Sequence, residues 1–144
     1  MKAKSTTLLG KTKQGKKTAV PLFASHVQAG FPSSAEDSIE NSLDLNRFIL
    51  KNPATTFFVR AEGNSMEGAG IFSGDILVVD RSLTARKGNI VIAIVFDELT
   101  VKRLCIKGGE YFLIAENEEY EPLRITEEME SSIWGVVTHS LRTF

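Results

Sequence analysis

The sequence predicts a mainly β domain with one short helix and a flexible N-terminal arm. Six segments after residue 55 are rich in β-branched and aromatic residues and are separated by glycine, aspartate or asparagine turn signals. Only residues 42–50 place apolar side chains at helical spacing. With 144 residues, 42% of them apolar, the chain has material for one core.

The arm differs from the rest of the chain in charge. Residues 1–35 hold six of the 17 basic residues and none of the 18 acidic ones. Residues 1–20 also lack an apolar period, so we expect them to be mobile, with order beginning near Pro21. In an extended chain, one face of residues 21–32 carries Phe23, Ser25, Val27, Ala29 and Phe31. Such a segment is suited to lie in a groove.

The helix and the strands follow in order. Residues 42–50 predict the one regular helix, with Ser42 as its N-terminal cap and Pro53 soon after its end. The strands are predicted at residues 56–61, 75–80, 89–96, 100–106, 111–115 and 133–141. A turn at Asp97-Glu98 makes a hairpin of the third and fourth strands. Gly108-Gly109 then turns the chain into the fifth, so a largely antiparallel sheet is expected.

Composition argues against several kinds of chemistry. Two histidines and one cysteine, Cys105, provide no metal-ligand cluster and no internal disulfide, and no glycine-rich phosphate loop is present. We therefore expect no cofactor or metal. A Ser-His-Asp triad lacks a plausible aspartate partner for His26 or His139. No apolar run approaches the roughly 20 residues that span a membrane, so we expect a cytoplasmic protein without an anchor.

Ser65 and Lys102 are the pair that suggests a function. Asn64 and Glu67 have the spacing of a helix N-terminal cap, which places Ser65 at the first position of a short turn among unpaired backbone N–H groups. In the fourth strand, Lys102 shares a face with apolar side chains, and burial there would favour its neutral amine. A lysine in this state can activate a serine. The residues alone also fit an ordinary glycine-rich loop and a surface lysine on an edge strand.

Five motifs recur in order along the chain. They are Pro21-Leu22-Phe23, Ala29-Gly30-Phe31-Pro32, Gly63-Asn64-Ser65-Met66, Gly74-Asp75-Ile76-Leu77-Val78-Val79-Asp80 and Thr100-Val101-Lys102. Together they resemble the motifs of one family, the self-cleaving LexA/UmuD peptidases, and of the UmuD branch in particular. The resemblance covers residues 20–144. The arm is rich in lysine and longer than this branch leads us to expect, which leaves the role of residues 1–17 open.

The resemblance implies a β-rich peptidase domain at residues 30–144 that cuts off its own arm, residues 1–29. Ser65 would be the nucleophile, Lys102 the general base and Ala29-Gly30 the bond cut. The backbone N–H groups of Ser65 and Met66 would bind the oxyanion.

The resemblance also implies partners. Cleavage would be stimulated by RecA filaments on single-stranded DNA during the SOS response. The shortened homodimer would then serve a UmuC-type error-prone polymerase in polymerase V, with the replicative sliding clamp as a further partner.

Three alternatives remain at this point. One is a regulatory binding subunit of a polymerase that does not cleave itself. Another is a peptidase that cuts other proteins, like the signal peptidases with Ser-Lys chemistry, although those are anchored in membranes. The third is a shortened phage-type repressor, which is disfavoured because the 29 residues before the cleavage site contain no helix-turn-helix pattern, so we expect no sequence-specific DNA binding.

Overall fold

The computed structural model describes residues 6–11, 19–23, 39–126 and 132–144, with side chains from residue 43 onward. The predicted class is confirmed: the described chain is mainly antiparallel β with one short α-helix. Its elements are β1 (Thr6–Lys11), β2 (Ala19–Phe23), β3 (Ile39–Asp44), α1 (Leu45–Ile49), β4 (Thr56–Ala61), β5 (Ile76–Asp80), β6 (Ile90–Val95), β7 (Glu98–Lys107), β8 (Glu110–Ile114), β9 (Leu123–Ile125) and β10 (Ile133–Leu141). Short 3₁₀ turns occupy Pro53–Thr55 and Glu67–Ala69.

Eight strands form one sheet in the order β1-β4-β5-β10-β6-β7-β8-β9. Every neighbouring pair in it is antiparallel. The predicted strands at residues 56–61 and 133–141 have the predicted bounds, and the other four agree to within two residues at either end. The sheet carries the serine turn after β4 and the lysine within β7.

Four strands were not predicted. β1 lies within the segment expected to be mobile, and it pairs with β4 from Thr6 opposite Ala61 to Lys11 opposite Phe57. β2, β3 and β9 were also not among the predicted strands. β9 has only three residues, which is too short for an alternating pattern to be recognised. The expectation that order begins near Pro21 was therefore wrong, since β1 already begins at Thr6.

The described part of residues 14–51 forms a second compact unit. It contains the hairpin of β2 and β3, followed directly by α1. The predicted helix is present but shorter, and its predicted cap was wrong. Ser42 lies in β3, whereas the carboxylate of Asp44 accepts the N–H of Asn46 at 3.1 Å. A cap at Asp44 fits a helix that begins only when the hairpin ends.

Two apolar clusters cover the two faces of the main sheet. Successive residues of a strand point to opposite faces, and Val91 and Ile92 accordingly lie in different clusters. The first cluster is Val59, Ala61, Met66, Ile71, Leu77, Val79, Ile92 and Val101. The second is Val91, Ala93, Leu104, Leu113, Ile125 and Val136. Because Met66 belongs to the first cluster, the turn beside Ser65 is fixed to the core.

An ion pair between the buried Asp75 and the partly exposed Arg142 connects the segment after β10 to the sheet. Asp75 is 2% exposed and accepts two hydrogen bonds from Arg142, each at 2.8 Å. It also accepts the N–H of Phe72 at 2.9 Å and the hydroxyl of Ser140 at 3.2 Å. The bonds from Arg142 are the main reason that the pKa of Asp75 is lowered to about 2.

The hairpin of β6 and β7 is confirmed, but its turn lies one residue earlier than predicted. Val95 pairs with Glu98, so Phe96 and Asp97 are the two central residues. Gly108 and Gly109 form the next turn as predicted, with Lys107 opposite Glu110. None of the helices in the described ranges is long and apolar enough to cross a membrane.

Candidate active site

Ser65 lies in a tight turn that leaves the end of β4. Gly63 has a φ of 93°, a left-handed backbone conformation that residues other than glycine rarely adopt. The N–H of Glu67 then donates to the carbonyl oxygen of Asn64 at 3.3 Å, which puts Ser65 at the first interior position of the turn, as predicted. Ser65 is 8% exposed. The turn thus presents a nearly buried hydroxyl.

The predicted side-chain cap on this turn was wrong. The side-chain oxygen of Asn64 accepts the hydroxyl of Tyr120 at 2.8 Å instead of a backbone N–H of the turn. The carbonyl oxygen of Asn64 also accepts the side-chain amide of Asn117 at 3.1 Å. Since both donors come from the segment between β8 and β9, long-range contacts rather than a local cap hold the turn.

Gly68 and Glu116 provide a third connection to that segment. The N–H of Gly68 donates to the carbonyl oxygen of Glu116 at 2.9 Å. A Cβ at position 68 would lie 2.5 Å from the same oxygen, which is inside van der Waals contact. Glu116 is itself paired with Arg103 of β7. The serine turn is therefore connected to the strand that carries Lys102.

Two buried residues of the turn have a backbone N–H without an acceptor among the described residues. They are Ser65 and Met66, whereas the N–H groups of residues 67–71 all donate to backbone carbonyls. Met66 is only 3% exposed. A buried N–H without an acceptor is costly unless a ligand supplies one. The two groups are suited to bind an oxyanion beside the serine hydroxyl.

Lys102 meets Ser65 from β7. Its Nζ lies 3.3 Å from Ser65 Oγ, 3.0 Å from Thr100 Oγ1 and 3.1 Å from the carbonyl oxygen of Val101. As predicted, Lys102 lies on the same face of its strand as Leu104, which is buried. The same lysine side chain thus lies on an apolar face of its strand and contacts the serine hydroxyl.

Burial lowers the pKa of Lys102. Lys102 forms no salt bridge with any residue in the described ranges that would restore the charged form. The ring of Tyr120 lies 5.9 Å from Nζ and presents the one cation–π contact that this ammonium makes with described residues. The balance favours the neutral amine more than for a lysine in water.

The three contacts of Lys102 have a chemical consequence. A neutral amine has two N–H donors and one lone pair. The carbonyl of Val101 can only accept, and the Thr100 hydroxyl can accept as well. With both N–H groups held there, the lone pair is directed at the third neighbour, Ser65 Oγ. This geometry suits an amine that acts as a base toward the serine hydroxyl.

The pair opens onto a cleft of about 380 Å³. One part of its wall is apolar and comes from the β6–β7 hairpin and from β8 and β9. The apolar lining residues are Val95, Phe96, Leu99, Leu113 and Leu123. Three carboxylates, of Glu62, Glu98 and Glu121, also line it, and Lys102 is its one basic lining residue among those described. An extended peptide without acidic side chains fits this lining.

The predicted cleavage site, Ala29-Gly30, lies outside the described residues. Of the other predicted site residues, the structure brings together Ser65, Met66 and Lys102. Two side chains that contact the site, those of Thr100 and Tyr120, were not predicted. The position of Thr100 beside Lys102 follows from strand alternation, because residues two apart in a strand share a face. Tyr120 is 55 positions from Ser65 in the sequence, and no local pattern connects it to the turn.

Comparison with known proteins identifies the family. The family model described as Peptidase S24-like matches residues 21–138. The chain belongs to the S24 peptidase family. Ser65 and Lys102 both lie within the part of this S24 peptidase that the model matches.

Individual relatives agree. Protein MucA of Escherichia coli is 43% identical over 124 residues, covering 85% of this chain and 84% of the relative. Protein ImpA of Shigella flexneri is 47% identical over 120 residues, covering 83% and 81%. The LexA repressor of Shewanella piezotolerans is 39% identical over 124 residues, covering 85% of this chain but 59% of the repressor. With these relatives the chain is a UmuD-like S24 peptidase of SOS mutagenesis, an autocatalytic serine peptidase.

Proposed function

We propose that this peptidase cuts its own Ala29-Gly30 bond with Ser65 as nucleophile and Lys102 as general base, separating the arm, residues 1–29, from the peptidase domain, residues 30–144. The observation that carries the assignment is the 3.3 Å contact between Lys102 Nζ and Ser65 Oγ in a buried setting. A serine hydroxyl is a weak nucleophile unless a neighbouring base takes its proton.

In the first step neutral Lys102 accepts the hydroxyl proton of Ser65 while Oγ attacks the carbonyl carbon of Ala29. The carbonyl oxygen gains negative charge as the tetrahedral intermediate forms. The N–H groups of Ser65 and Met66 donate to that oxygen, and removing one such donor costs roughly 3 kcal/mol in related chemistry. Ala29 and Gly30 are small, which allows the scissile carbonyl to approach Ser65 closely.

In the second step the intermediate collapses and the peptide bond breaks. The ammonium of Lys102 donates its proton to the departing nitrogen of Gly30, which becomes the new N-terminus. Ala29 stays attached to Ser65 Oγ as an ester. A water molecule then gives one proton to Lys102 and attacks the ester carbonyl. Lys102 passes that proton to Ser65 Oγ as the ester bond breaks, which restores the serine hydroxyl and the neutral amine. Residues 1–29 leave with a C-terminal carboxylate, whose acid proton passes to the solvent.

The cleaved product is the active species in this proposal. RecA filaments on single-stranded DNA stimulate the cut, and the shortened homodimer joins a UmuC-type polymerase as a subunit of polymerase V, in the cytoplasm. Cleavage removes all six arm lysines and leaves an acidic body. Loss of the arm therefore changes both the surface and the charge that a partner meets, including the replicative sliding clamp.

The deciding experiment is incubation of the purified chain with and without RecA filaments on single-stranded DNA. Mass spectrometry should find a fragment that begins at Gly30, produced faster with the filament and absent in Ser65→Ala. A stable full-length chain under both conditions would favour a binding subunit that does not cleave. Cleavage of an added unrelated protein would favour a peptidase acting on other chains.

A further inference from the structure

The turn between β6 and β7 carries an unusual residue. Phe96 and Asp97 are its central residues, with φ values of 50° and 62°. Two-residue hairpin turns of this kind need positive φ at both positions and usually hold asparagine, aspartate or glycine there. A bulky side chain is strained in this conformation because its Cβ approaches the following carbonyl. Asp97 fits the turn, whereas Phe96 does not.

Phe96 also gains little from packing. Its side chain is 78% exposed, in contrast to the buried residues of the two strands that it joins. An aromatic ring stabilises a fold mainly by leaving water. Phe96 therefore strains the backbone without contributing its apolar surface to the core. Neither turn formation nor core packing accounts for a phenylalanine here.

The position of Phe96 supplies a reason. It lines the same cleft as Ser65 and Lys102, next to Val95 and Leu99 of the same hairpin. Together the three side chains make an apolar surface at the cleft, which we call the hairpin wall. A ligand that covered the hairpin wall would bury the ring that the free protein leaves in water.

We propose that Phe96 is a specificity-determining residue that binds an apolar side chain of residues 21–32 as that segment enters the cleft. The inference rests on the proposed function and adds the contact that selects the segment. The apolar side chains of residues 21–32 recur at alternate positions, and Val27 and Phe31 flank Ala29 on the face that Ala29 must turn toward Ser65.

Charge supports this occupant. The carboxylates of Glu62 and Glu121 line the cleft, and residues 21–32 contain no aspartate or glutamate, whereas acidic residues begin at Glu36. An acidic segment would be repelled by the lining, and a neutral one would not. The substrate class that follows is an extended, acid-free peptide with apolar side chains on the face that carries the scissile residue.

Two substitutions distinguish the effect of losing the aromatic ring from the effect of changing the turn. Phe96→Gly removes the ring and relieves the strain, while Asp97→Gly also places glycine at a positive φ of the same turn but leaves the ring. Both full-length variants should unfold at a temperature no lower than the parent. Phe96→Gly should cleave itself about tenfold more slowly, as expected when one aromatic contact is lost. Asp97→Gly should cleave at the parent rate.

A binding measurement makes the result independent of cleavage. A fluorescent synthetic peptide of residues 21–32 is titrated into the full-length Ser65→Ala chain, with and without Phe96→Gly. We expect the added substitution to weaken binding about tenfold. Restoration of affinity by Phe96→Leu would show that apolar surface is what matters.

The outcomes are distinct. Equal peptide affinity with and without Phe96→Gly, or no peptide binding at all, would overturn the role of Phe96. Equal slowing of cleavage by Phe96→Gly and Asp97→Gly would assign the effect to the turn and reject the contact. A third outcome is that peptide binding depends on Phe96 but the parent chain never cleaves itself. That result would support the role of Phe96 in binding the segment and would refute the proposed self-cleavage.

Discussion

Gly68 and Glu116 lie so close together that position 68 has no room for a side chain. The N–H of Gly68 donates to the Glu116 carbonyl at 2.9 Å, and a Cβ would lie 2.5 Å from that oxygen. Backbone atoms on the Glu116 side cannot move aside as the end of a flexible side chain can. The position of the serine turn thus depends on a contact three residues after Ser65.

Gly68→Ala should therefore displace the serine turn. We expect self-cleavage to slow by about 100-fold, the effect that a displacement of about 1 Å has on a reacting group. Gly70→Ala is the matched control, because its Cβ would meet nothing within 4 Å and only its φ of 82° is unfavourable. Rates and unfolding midpoints of both variants check this. A Gly68→Ala chain that cleaves faster than Gly70→Ala would contradict the expectation.

Lys102→Met should stop cleavage and stabilise the fold. Burial lowers the pKa of Lys102, so the folded chain binds this proton less strongly than the unfolded chain does. The charged form opposes folding, and the contribution of Lys102 to stability increases as pH rises through its folded pKa. At pH 7 the neutral methionine avoids that penalty. Thermal unfolding should occur at higher temperature, while self-cleavage falls at least about 1000-fold.

Two controls accompany Lys102→Met. Lys107→Met removes an exposed lysine of the same strand and should change neither property. Lys102→Arg keeps a cation that stays protonated, and it should also stop cleavage, as should Ser65→Ala. Cleavage at the parent rate in Lys102→Arg would rule out Lys102 as the base.

The rate of self-cleavage should rise with pH through the lowered pKa of Lys102, because only the neutral amine accepts the serine proton. Thr100→Val removes the oxygen that lies 3.0 Å from Nζ but keeps the shape of the side chain. Loss of that acceptor disfavours the ammonium, so the profile should shift to lower pH while its plateau falls about tenfold, since the lone pair is less well oriented. A profile that is flat between about pH 6 and 10 would argue against lysine as the base.

Asp75 should make folding sensitive to acid. Its pKa is lowered to about 2 in the folded chain from an ordinary 3.8, so its contribution to stability is present above pH 4 and is lost as pH falls toward 2. The shift corresponds to about 2 kcal/mol. Asp75→Asn should reduce the free energy of unfolding by about that amount at pH 7 and by much less at pH 2, as measured by urea titration.

The exposed pair of Arg124 and Glu110 is the control for Asp75. Their side chains are 60% and 50% exposed, so Glu110→Gln should change stability by less than about 1 kcal/mol at either pH. An equal loss in Glu110→Gln and Asp75→Asn would mean that burial of the pair is unimportant.

The cleaved protein should bind a UmuC-type polymerase more tightly than the uncut protein does. Self-cleaved protein and full-length Ser65→Ala are compared in pull-downs at low and high salt. We expect attraction between the arm lysines and the acidic body to weaken as salt rises, so the difference in polymerase affinity between the two forms should narrow. Equal affinities at low salt would refute a switch, even with the cleavage chemistry intact.

The serine and the lysine could be predicted because each depends on a local pattern. Alternation along a strand is enough to place Lys102 beside Leu104. Gly63 and the spacing of Asn64 and Glu67 are enough to indicate a turn at Ser65. The partners of the turn could not be predicted in the same way, since Tyr120 competes for the Asn64 side chain from a distant segment.

Other differences arise where tertiary pairing overrides composition. The turn after β6 was placed one residue late because phenylalanine is typical of a strand and Asp97 of a turn, whereas Val95 in fact pairs with Glu98. β1 was missed because its residues show no apolar period and are stabilised by pairing with β4. Apolar periodicity in a sequence predicts which residues are buried, but it does not predict a strand at the edge of a sheet whose residues are mostly polar.

β1 pairs with β4 and precedes Ala29 in the sequence. The proposed cut therefore removes no contact between these strands, but it turns their pairing from an intramolecular into an intermolecular association. Before cleavage the two strands are tethered, and their pairing is independent of dilution, with an effective concentration set by the connecting chain. Afterwards the same pairing of β1 with β4 joins two separate molecules. Its occupancy then depends on how much free fragment the solution contains, so dilution alone uncovers the edge of β4, the strand that leads to Ser65.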